Sequence, residues 1–233
     1  ALDSVSLDLR PGRVLGVGDV GGSGASRRPD GVIYRPIGTE IAVAWTKAYT
    51  AMVVDLYLFA IYLAQRRATI DPERSRALLA EAFHLPTLID AVLGEEPKIR
   101  ALAYRFHDAK NFLQLGRGVN YPTALEGALK LRELSYIPSE GTAAGEMKHG
   151  TNALIDEHLP VVAIALRDST YKKMLSNIQE VRARAGGVIA IAHDGDDALA
   201  GQADGGRRTP VPNDPLPPPP ARGPLTPPPA APP

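Results

Sequence analysis

The sequence predicts an α/β fold in which helices flank a parallel, doubly wound sheet. Two compact apolar runs, Pro160–Leu166 and Gly186–Ala192, are typical of strands, and an amphipathic helical pattern, Asp168–Arg184, separates them. A further strand is predicted at the apolar run Asn111–Leu115, and a helical pattern that begins at Pro122 follows it. Strands that alternate with helices favour parallel pairing through helical crossovers.

Composition narrows the functional class. The 233 residues carry 26 basic and 26 acidic side chains, so charge favours neither a nucleic-acid partner nor an anionic membrane. The sequence has no cysteine, which excludes disulfides and cysteine nucleophiles and fits a cytoplasmic location. Residues 1–13 lack a signal-peptide pattern and an initiator Met, and we expect a piece of a longer protein. The most apolar stretch, Ala51–Ala64, contains Asp55 and is predicted to be a buried helix, too short to span a bilayer.

Two short strands are predicted near the N-terminus, Arg13–Val17 and Gly31–Arg35. The glycine-rich segment Gly18–Gly24 lies between them. A phosphate cradle there is one interpretation, but the segment lacks the Lys-Ser/Thr ending of a P-loop and the spacing of a dinucleotide fingerprint. A turn between strands is the favoured alternative.

A helical region is predicted next. Glu40–Ala68 has helical periodicity, and Asp71 precedes a proline and an acid in the pattern of an N-cap. Further helices are expected over 72–83, 86–93 and 97–108. His84 and His107 are interpreted as structural, because no histidine pair in the sequence has metal-ligand spacing, and no metal site is predicted.

The central helix after Pro122 is expected to end near Ile137, before Pro138. Its predicted buried face consists of Leu125, Ala128, Leu129 and the stem of Arg132. A polar loop is expected over Ser139–Thr142, and then a short helical piece, Ala143–Lys148, which Gly150 ends.

Charged residues of this region are the first functional signal. Glu126, Lys130 and Glu133 share one helix face, and Glu146, Lys148 and His149 follow shortly after. A carboxylate, an amine and an imidazole could converge at the carboxyl end of a strand, where open α/β sheets bind ligands. A solvated stripe of ion pairs is the alternative.

The sequence changes character near Gly205. From Pro210 to Pro233, 13 of 24 residues are proline, which predicts a disordered or polyproline II tail. A linker is favoured over a ligand for a proline-recognition domain.

Two blocks resemble a known family. ALEGALKLRELSYI (124–137) with AAGEMKHGTNALID (143–156) is similar to the second sugar-isomerase (SIS) domain of the glucosamine-6-phosphate synthases, which are glutamine–fructose-6-phosphate aminotransferases. GVIYRPIGTEIAVAWTKAYT (31–50) resembles the family's segment that leaves the first SIS domain. The resemblance implies a first-SIS remnant over 1–38, a helical connection over 39–108, a C-terminally truncated second SIS domain over 109–204, and the tail over 205–233.

The resemblance also implies roles for individual residues. Glu133 would be the base that moves a proton between C1 and C2 of the sugar, and Lys130 would stabilise the developing negative oxygen. His149 would shuttle a proton for ring opening, acting across a subunit interface. Val43 and Thr46 would lie in the substrate-binding segment, where Trp45 replaces a small hydroxyl residue of the family pattern.

The implied reaction converts fructose 6-phosphate and glutamine-derived ammonia to glucosamine 6-phosphate in a homodimeric enzyme, with no cofactor. Because the sequence has no Ser-Gln-Ser-Gly-Glu-Thr-like phosphate loop and no match to the family's lysine-bearing tail, we expect this chain alone to be inactive. The alternative is a non-catalytic SIS module that binds a sugar phosphate or mediates dimerisation.

Overall fold

The computed structural model describes residues 14–18, 29–35, 37–38, 41, 43–193, 195–201, 203 and 205–209. The strands are β1 (Leu15–Gly18), β2 (Gly31–Tyr34), β3 (Phe112–Gly116), β4 (Ser139–Ala143), β5 (Val161–Ala165), β6 (Val188–His193) and β7 (Gly205–Thr209). The helices are α1 (Thr46–Arg66), α2 (Pro72–Gly94), α3 (Glu96–Arg105), α4 (Tyr121–Ser135), α5 (Tyr171–Arg182) and α6 (Asp197–Ala200). Three 3-10 turns cover Gly118–Asn120, Ala144–His149 and Thr151–Leu154.

The main sheet is parallel throughout, with the strand order β4-β3-β5-β6-β7. The predicted α/β class is therefore confirmed. The order reverses between β3 and β5, because β4 and β5 lie on opposite sides of β3. Ligands of open parallel sheets bind at the carboxyl ends of strands beside such a reversal.

The core lies between this sheet and α5. Val161, Val188 and Leu115 of the strands are fully buried, and Met174 and Ile178 of α5 pack on them. The sequence predicted these strands and this helix face correctly. Apolar burial of this kind is the main favourable term in folding.

α4 meets the sheet through its smallest side chains rather than through its leucines. Ala124 and Ala128 are buried, whereas Leu125 and Leu129 are 42% and 36% exposed. The predicted buried face was therefore wrong at Leu125 and Leu129. A Cβ on Gly141 of β4 would lie 2.7 Å from the Leu125 Cα, so the helix and the strand approach too closely for larger residues.

The segment 139–142, predicted as a polar loop, is instead the edge strand β4. β4 pairs in parallel with β3, with Phe112 opposite Ser139 and Gly116 opposite Ala143. Its sequence, SEGTA, has weak intrinsic strand preference. Tertiary packing against β3 and α4 therefore decides its conformation.

The helical region differs from the prediction in two ways. α2 is one helix and not two, with Pro86 inside it. Pro86 is exposed, so a water molecule can make the hydrogen bond that proline cannot donate.

α1 was predicted to be a buried helix, but in the described residues only Ala48 and Ile61 of α1 are buried. The predicted N-cap is present, because Asp71 accepts a hydrogen bond from the Arg74 N–H at 2.7 Å.

By length and composition alone, α1 and α2 could each cross a bilayer, a criterion that core helices of soluble proteins also meet. Arg35 forms an ion pair with Asp55 of α1, in which the Arg35 Nε lies 3.3 Å from the Asp55 Oδ2. Arg35 is 4% exposed. Charged side chains are costly to place in hydrocarbon.

The two ends of the chain are described only in part. β1 and β2 form a separate two-stranded parallel sheet, in agreement with the two predicted N-terminal strands. Residues 19–24 of the glycine-rich segment lie outside the described residues. At the other end, β7 pairs with β6 over 205–209, so the sheet extends past the predicted boundary at 204. Residues 210–233 lie outside the described residues.

Candidate functional site

The predicted row of charges on α4 is an ion-paired chain. The Lys130 ammonium donates a hydrogen bond to the Glu133 Oε2 at 2.8 Å and lies 3.3 Å from the Glu126 Oε1. The three side chains are only 19% to 30% exposed. One cation is therefore shared by two carboxylates on the face of α4 that the sequence predicted.

The electrostatics of this row keep the amine charged. The hydrogen bond to Glu133, with a further contribution from Glu126, raises the pKa of Lys130 above its usual value. Lys130 is thus a permanent cation, suited to stabilise a developing negative oxygen. Glu133 can accept a proton as a carboxylate base, and it lies within reach of that cation.

His149 occupies a different position, at the end of the 3-10 turn that follows β4. Its side chain is 77% exposed, and its imidazole Nε2 lies 3.8 Å from the Glu146 carboxylate. Gly150 follows with φ of 133°, a conformation that favours glycine. Within the described residues, no hydrogen bond or ion pair joins His149 to Glu133 or Lys130. The structure therefore brings Glu133 and Lys130 together and leaves His149 facing solvent.

The predicted substrate-binding segment lies at the start of α1. Val43 is 85% exposed, Thr46 is the first residue of the helix, and Trp45 at its N-cap is 53% exposed. Trp45 makes no side-chain capping bond, so the helix N-terminus has no side-chain cap. No hydrogen bond or ion pair between described residues joins Val43, Trp45 or Thr46 to the charged row of α4.

A second polar cluster, which the sequence did not predict, lies at the carboxyl ends of β5 and β6. The Tyr171 hydroxyl lies 2.6 Å from both carboxylate oxygens of Asp196. The Arg167 Nε approaches the same carboxylate at 3.7 Å. Burial and the hydrogen bond to Asp196 raise the pKa of Tyr171 to about 12, so this hydroxyl remains a donor.

His193 completes that cluster. It is 6% exposed, and its Nδ1 accepts a long hydrogen bond, 3.5 Å, from the Arg167 backbone N–H. Burial, and then the charge of Arg167, lower the pKa of His193 against the opposing effect of Asp196. The imidazole is therefore neutral near pH 7. In the sequence, His193 stands in a polar segment at the end of a predicted strand. Such segments are too common to predict a polar cluster.

The crevice at the reversal between β3 and β5 contains a carboxylate of the chain itself. Asp168 accepts hydrogen bonds from the Asn120 side-chain amide at 2.8 Å and from the Thr170 N–H and hydroxyl at 2.7 Å. Asp168 thus pairs with the Asn120 amide and with the Thr170 N–H and hydroxyl within the fold.

An open cavity of about 310 Å³ lies at the opposite edge, beside the amino ends of β3 and β4. Arg132, Ser139, Glu140 and Thr151 are among its lining residues. Glu133, Lys130 and His149 do not line it. Among the described residues, no group of three or more His, Asp or Glu side chains could hold a metal ion.

Comparison with known proteins assigns the class. Residues 105–218 match the family model of the SIS domain. A solved structure, the C-terminal domain of glucosamine-fructose-6-phosphate aminotransferase from Francisella tularensis, superposes with a TM-score of 0.79 at 32% identity, over 84% of this chain and 56% of that one. The described part of the chain therefore has a SIS-type α/β fold. The matched range ends at residue 218, beyond the predicted domain boundary at 204.

The curated relatives narrow the family further. The glutamine–fructose-6-phosphate aminotransferase (isomerising) of Thermus thermophilus is 51% identical over 187 residues, which are 80% of this chain and 31% of the relative. The enzyme of the same name from Chlorobaculum tepidum is 49% identical over 183 residues, 78% of this chain and 30% of the relative. The predicted resemblance is confirmed: the chain is a partial relative of the glutamine–fructose-6-phosphate aminotransferases and spans about a third of their length.

Proposed function

We propose that the chain is part of the isomerase half of a glucosamine-6-phosphate synthase. The reaction would convert fructose 6-phosphate and ammonia from glutamine to glucosamine 6-phosphate. The observation that carries the proposal is the Glu126–Lys130–Glu133 row on α4, which provides a base beside a permanent cation. The 51% identity to the Thermus thermophilus enzyme supports it.

Each chemical step assigns a task to a residue. Moving a proton between C1 and C2 of an open-chain sugar requires a positioned base, which Glu133 supplies. The transition state places negative charge on the neighbouring oxygen, and the Lys130 ammonium stabilises that charge. Ring opening needs a proton shuttle, a role that an imidazole can fill, and we assign it to His149.

His149 would act on a second copy of the chain. Its side chain is 77% exposed and has no hydrogen bond or ion pair to Glu133 or Lys130 of its own chain among the described residues. The exposed apolar side chains of α1 and α4, including Leu56 and Leu125, would be covered in such a homodimer. A cytoplasmic location is part of the same proposal, and it is supported by the absence of cysteine in the 233 residues.

Val43 and Thr46 would line the sugar site at the start of α1, beside Trp45. An indole is far larger than the serine hydroxyl of the family pattern, so it would reduce the room for the sugar. A non-catalytic SIS module that binds a sugar phosphate or mediates dimerisation is the second candidate function, and the indole at Trp45 favours it.

A chimaera distinguishes the two functions. This chain's matching segment replaces the 187 aligned residues of the Thermus thermophilus enzyme, and glucosamine 6-phosphate formation is measured with glutamine and with ammonia. A matched chimaera carries Trp45→Ser. Product from the chimaera with Trp45 supports the catalytic function, whereas product from the Trp45→Ser chimaera alone shows that the indole blocks the sugar site and favours the non-catalytic module. A folded dimer that forms no product in either background favours the non-catalytic module and contradicts the proposal.

A further inference from the structure

The 3-10 turn Ala144–His149 packs against a residue bound to α5 at one end and forms an ion pair with α5 at the other. At the first end, Arg117 donates a hydrogen bond from Nη1 to the Asn177 Oδ1 at 3.1 Å. A Cβ on Gly145 would lie 3.1 Å from that same Nη1, so the guanidinium covers Gly145. At the other end, the Lys148 Nζ lies 3.4 Å from the Glu180 Oε1.

The two anchoring residues of α5 form one surface. Asn177 and Glu180 are three residues apart, so they share a helix face. Asn177 is 7% exposed, which fixes its side chain in the fold. Between the two anchors Met147 is fully buried in the core. The turn is therefore packed against Arg117 at Gly145, buried at Met147 and ion-paired to α5 at Lys148.

His149 is the residue that follows these attachments, and it is not itself attached to α5. Its imidazole is 77% exposed, with Glu146 of its own turn at 3.8 Å. Its neighbour in sequence is Lys148, the residue of the turn that is ion-paired to α5.

The environment of Glu180 makes its ion pair with Lys148 stronger than an ordinary ion pair on the surface. Its side chain is 26% exposed, and its Oε2 is buried without a hydrogen-bond partner in the described part of the chain. A half-buried carboxylate has lost much of its hydration, so its remaining cation contact matters more than in water.

We propose that Glu180 is a positioning residue that, through its ion pair with Lys148, holds the turn Ala144–His149 against α5 and so fixes the direction of His149. The anchoring stands on the contacts of this chain alone. Its importance for turnover rests on the proposed function of His149.

Backbone hydrogen exchange in the 233-residue chain tests the anchoring directly. Glu180→Gln keeps the shape and removes the charge, and Lys148→Gln removes the same pair at a side chain that is 70% exposed, where folding is not at risk. We expect exchange of amides 145–149 to rise about two- to fivefold in both variants, the scale of a partly exposed ion pair. Glu157→Gln, at a 71% exposed glutamate just beyond the turn, is the matched control and should leave it unchanged.

A charge exchange separates positioning from general loss of stability. The double variant Lys148→Glu with Glu180→Lys should return exchange of the turn to within about twofold of the original. Unchanged exchange in both single variants, or no recovery in the double variant, overturns the proposal. In the chimaera, faster exchange accompanied by a lower kcat at constant KM supports both proposals. Faster exchange with unchanged kcat supports the anchoring of the turn but contradicts the catalytic role of His149.

Discussion

Lys130 and Glu133 lie one helical turn apart on α4, and their side chains are joined by a hydrogen bond of 2.8 Å. Glu126 approaches the same ammonium from the preceding turn at 3.3 Å. The contact is thus part of a shared arrangement in which two carboxylates hold one cation in place.

Removing the Lys130 ammonium should lower kcat more than it lowers the stability of the fold. In the chimaera, Lys130→Met is expected to lower kcat by about 10- to 100-fold, because the developing oxygen loses its electrostatic partner. The urea midpoint should change little, since the pair is partly exposed. Lys98→Met, which removes the exposed pair with Glu95 at 2.6 Å, is the matched control and should leave kcat unchanged. Equal effects of the two substitutions on kcat would contradict the role of Lys130.

Tyr171→Phe should destabilise the domain by about 1–3 kcal/mol, because Asp196, 3% exposed, loses a hydrogen bond to its charged group. The raised pKa of Tyr171, about 12, sets the pH dependence. The stabilisation is complete below pH 10 and is lost as the pH rises from 10 towards 12, where the folded form also ionises. Urea unfolding of both proteins at pH 8 to 11 measures the difference. Ser176→Ala, which removes an exposed hydroxyl from the same helix, should cost under about 0.5 kcal/mol.

His193 should make the fold sensitive to mild acid. Its pKa is lowered in the folded state, so the unfolded chain binds the proton more readily. Stability is then full above the unfolded pKa of about 6.5 and falls as the pH drops below it. We expect the urea midpoint to decrease from pH 7.5 to pH 5 in the original chain and to decrease less in His193→Gln. Arg167 and Asp196 face the imidazole in both proteins, so identical slopes would show that His193 does not titrate in this range.

Gly116→Ala tests the tight turn at the carboxyl end of β3. A Cβ there would lie 2.6 Å from the Asn120 carbonyl carbon and 2.8 Å from the Tyr121 Cα, both of the backbone. Neither atom can move without displacing α4, so the cost should be at least about 2 kcal/mol. Gly94→Ala, where no atom lies within 4 Å, should change stability by under about 0.5 kcal/mol. Similar thermal midpoints for the two variants would contradict the observed packing.

Some of the fold follows from local sequence. β5, β6 and α5 were predicted because a fully buried strand is a continuous apolar run, and an amphipathic helix repeats every three to four residues. β4 was missed because its residues have little strand preference. Its conformation results from pairing with β3 and from the approach of α4 at Gly141.

The burial of the helices could not be predicted in the same way. Periodicity shows that α1 and α4 have apolar residues, but not which surface covers them. Ala124 and Ala128 face the sheet because only small side chains fit, and the larger Leu125 and Leu129 remain partly exposed. Pro86 did not end α2 because it lies on an exposed side of the helix.

The charged row on α4 was predictable because helix geometry alone brings residues four and three positions apart together. The Tyr171–Asp196 contact was not, because the two residues are 25 positions apart and meet only through the parallel pairing of β5 and β6. His149 was found by resemblance, and its side chain is 77% exposed. Its catalytic role, like those of Glu133, Lys130, Val43 and Thr46, stays a prediction.

The central claim is that Glu133 is the base of an isomerase site. The most direct measurement is the rate of fructose 6-phosphate conversion by the chimaera with Glu133→Gln, beside a chimaera with Glu140→Gln, an exposed glutamate of the adjacent strand β4. We predict a loss of about 100-fold or more in kcat for Glu133→Gln, the scale of a lost acid–base group, and no significant change for Glu140→Gln. Turnover by Glu133→Gln equal to that of the unsubstituted chimaera, with the fold intact, would contradict the account.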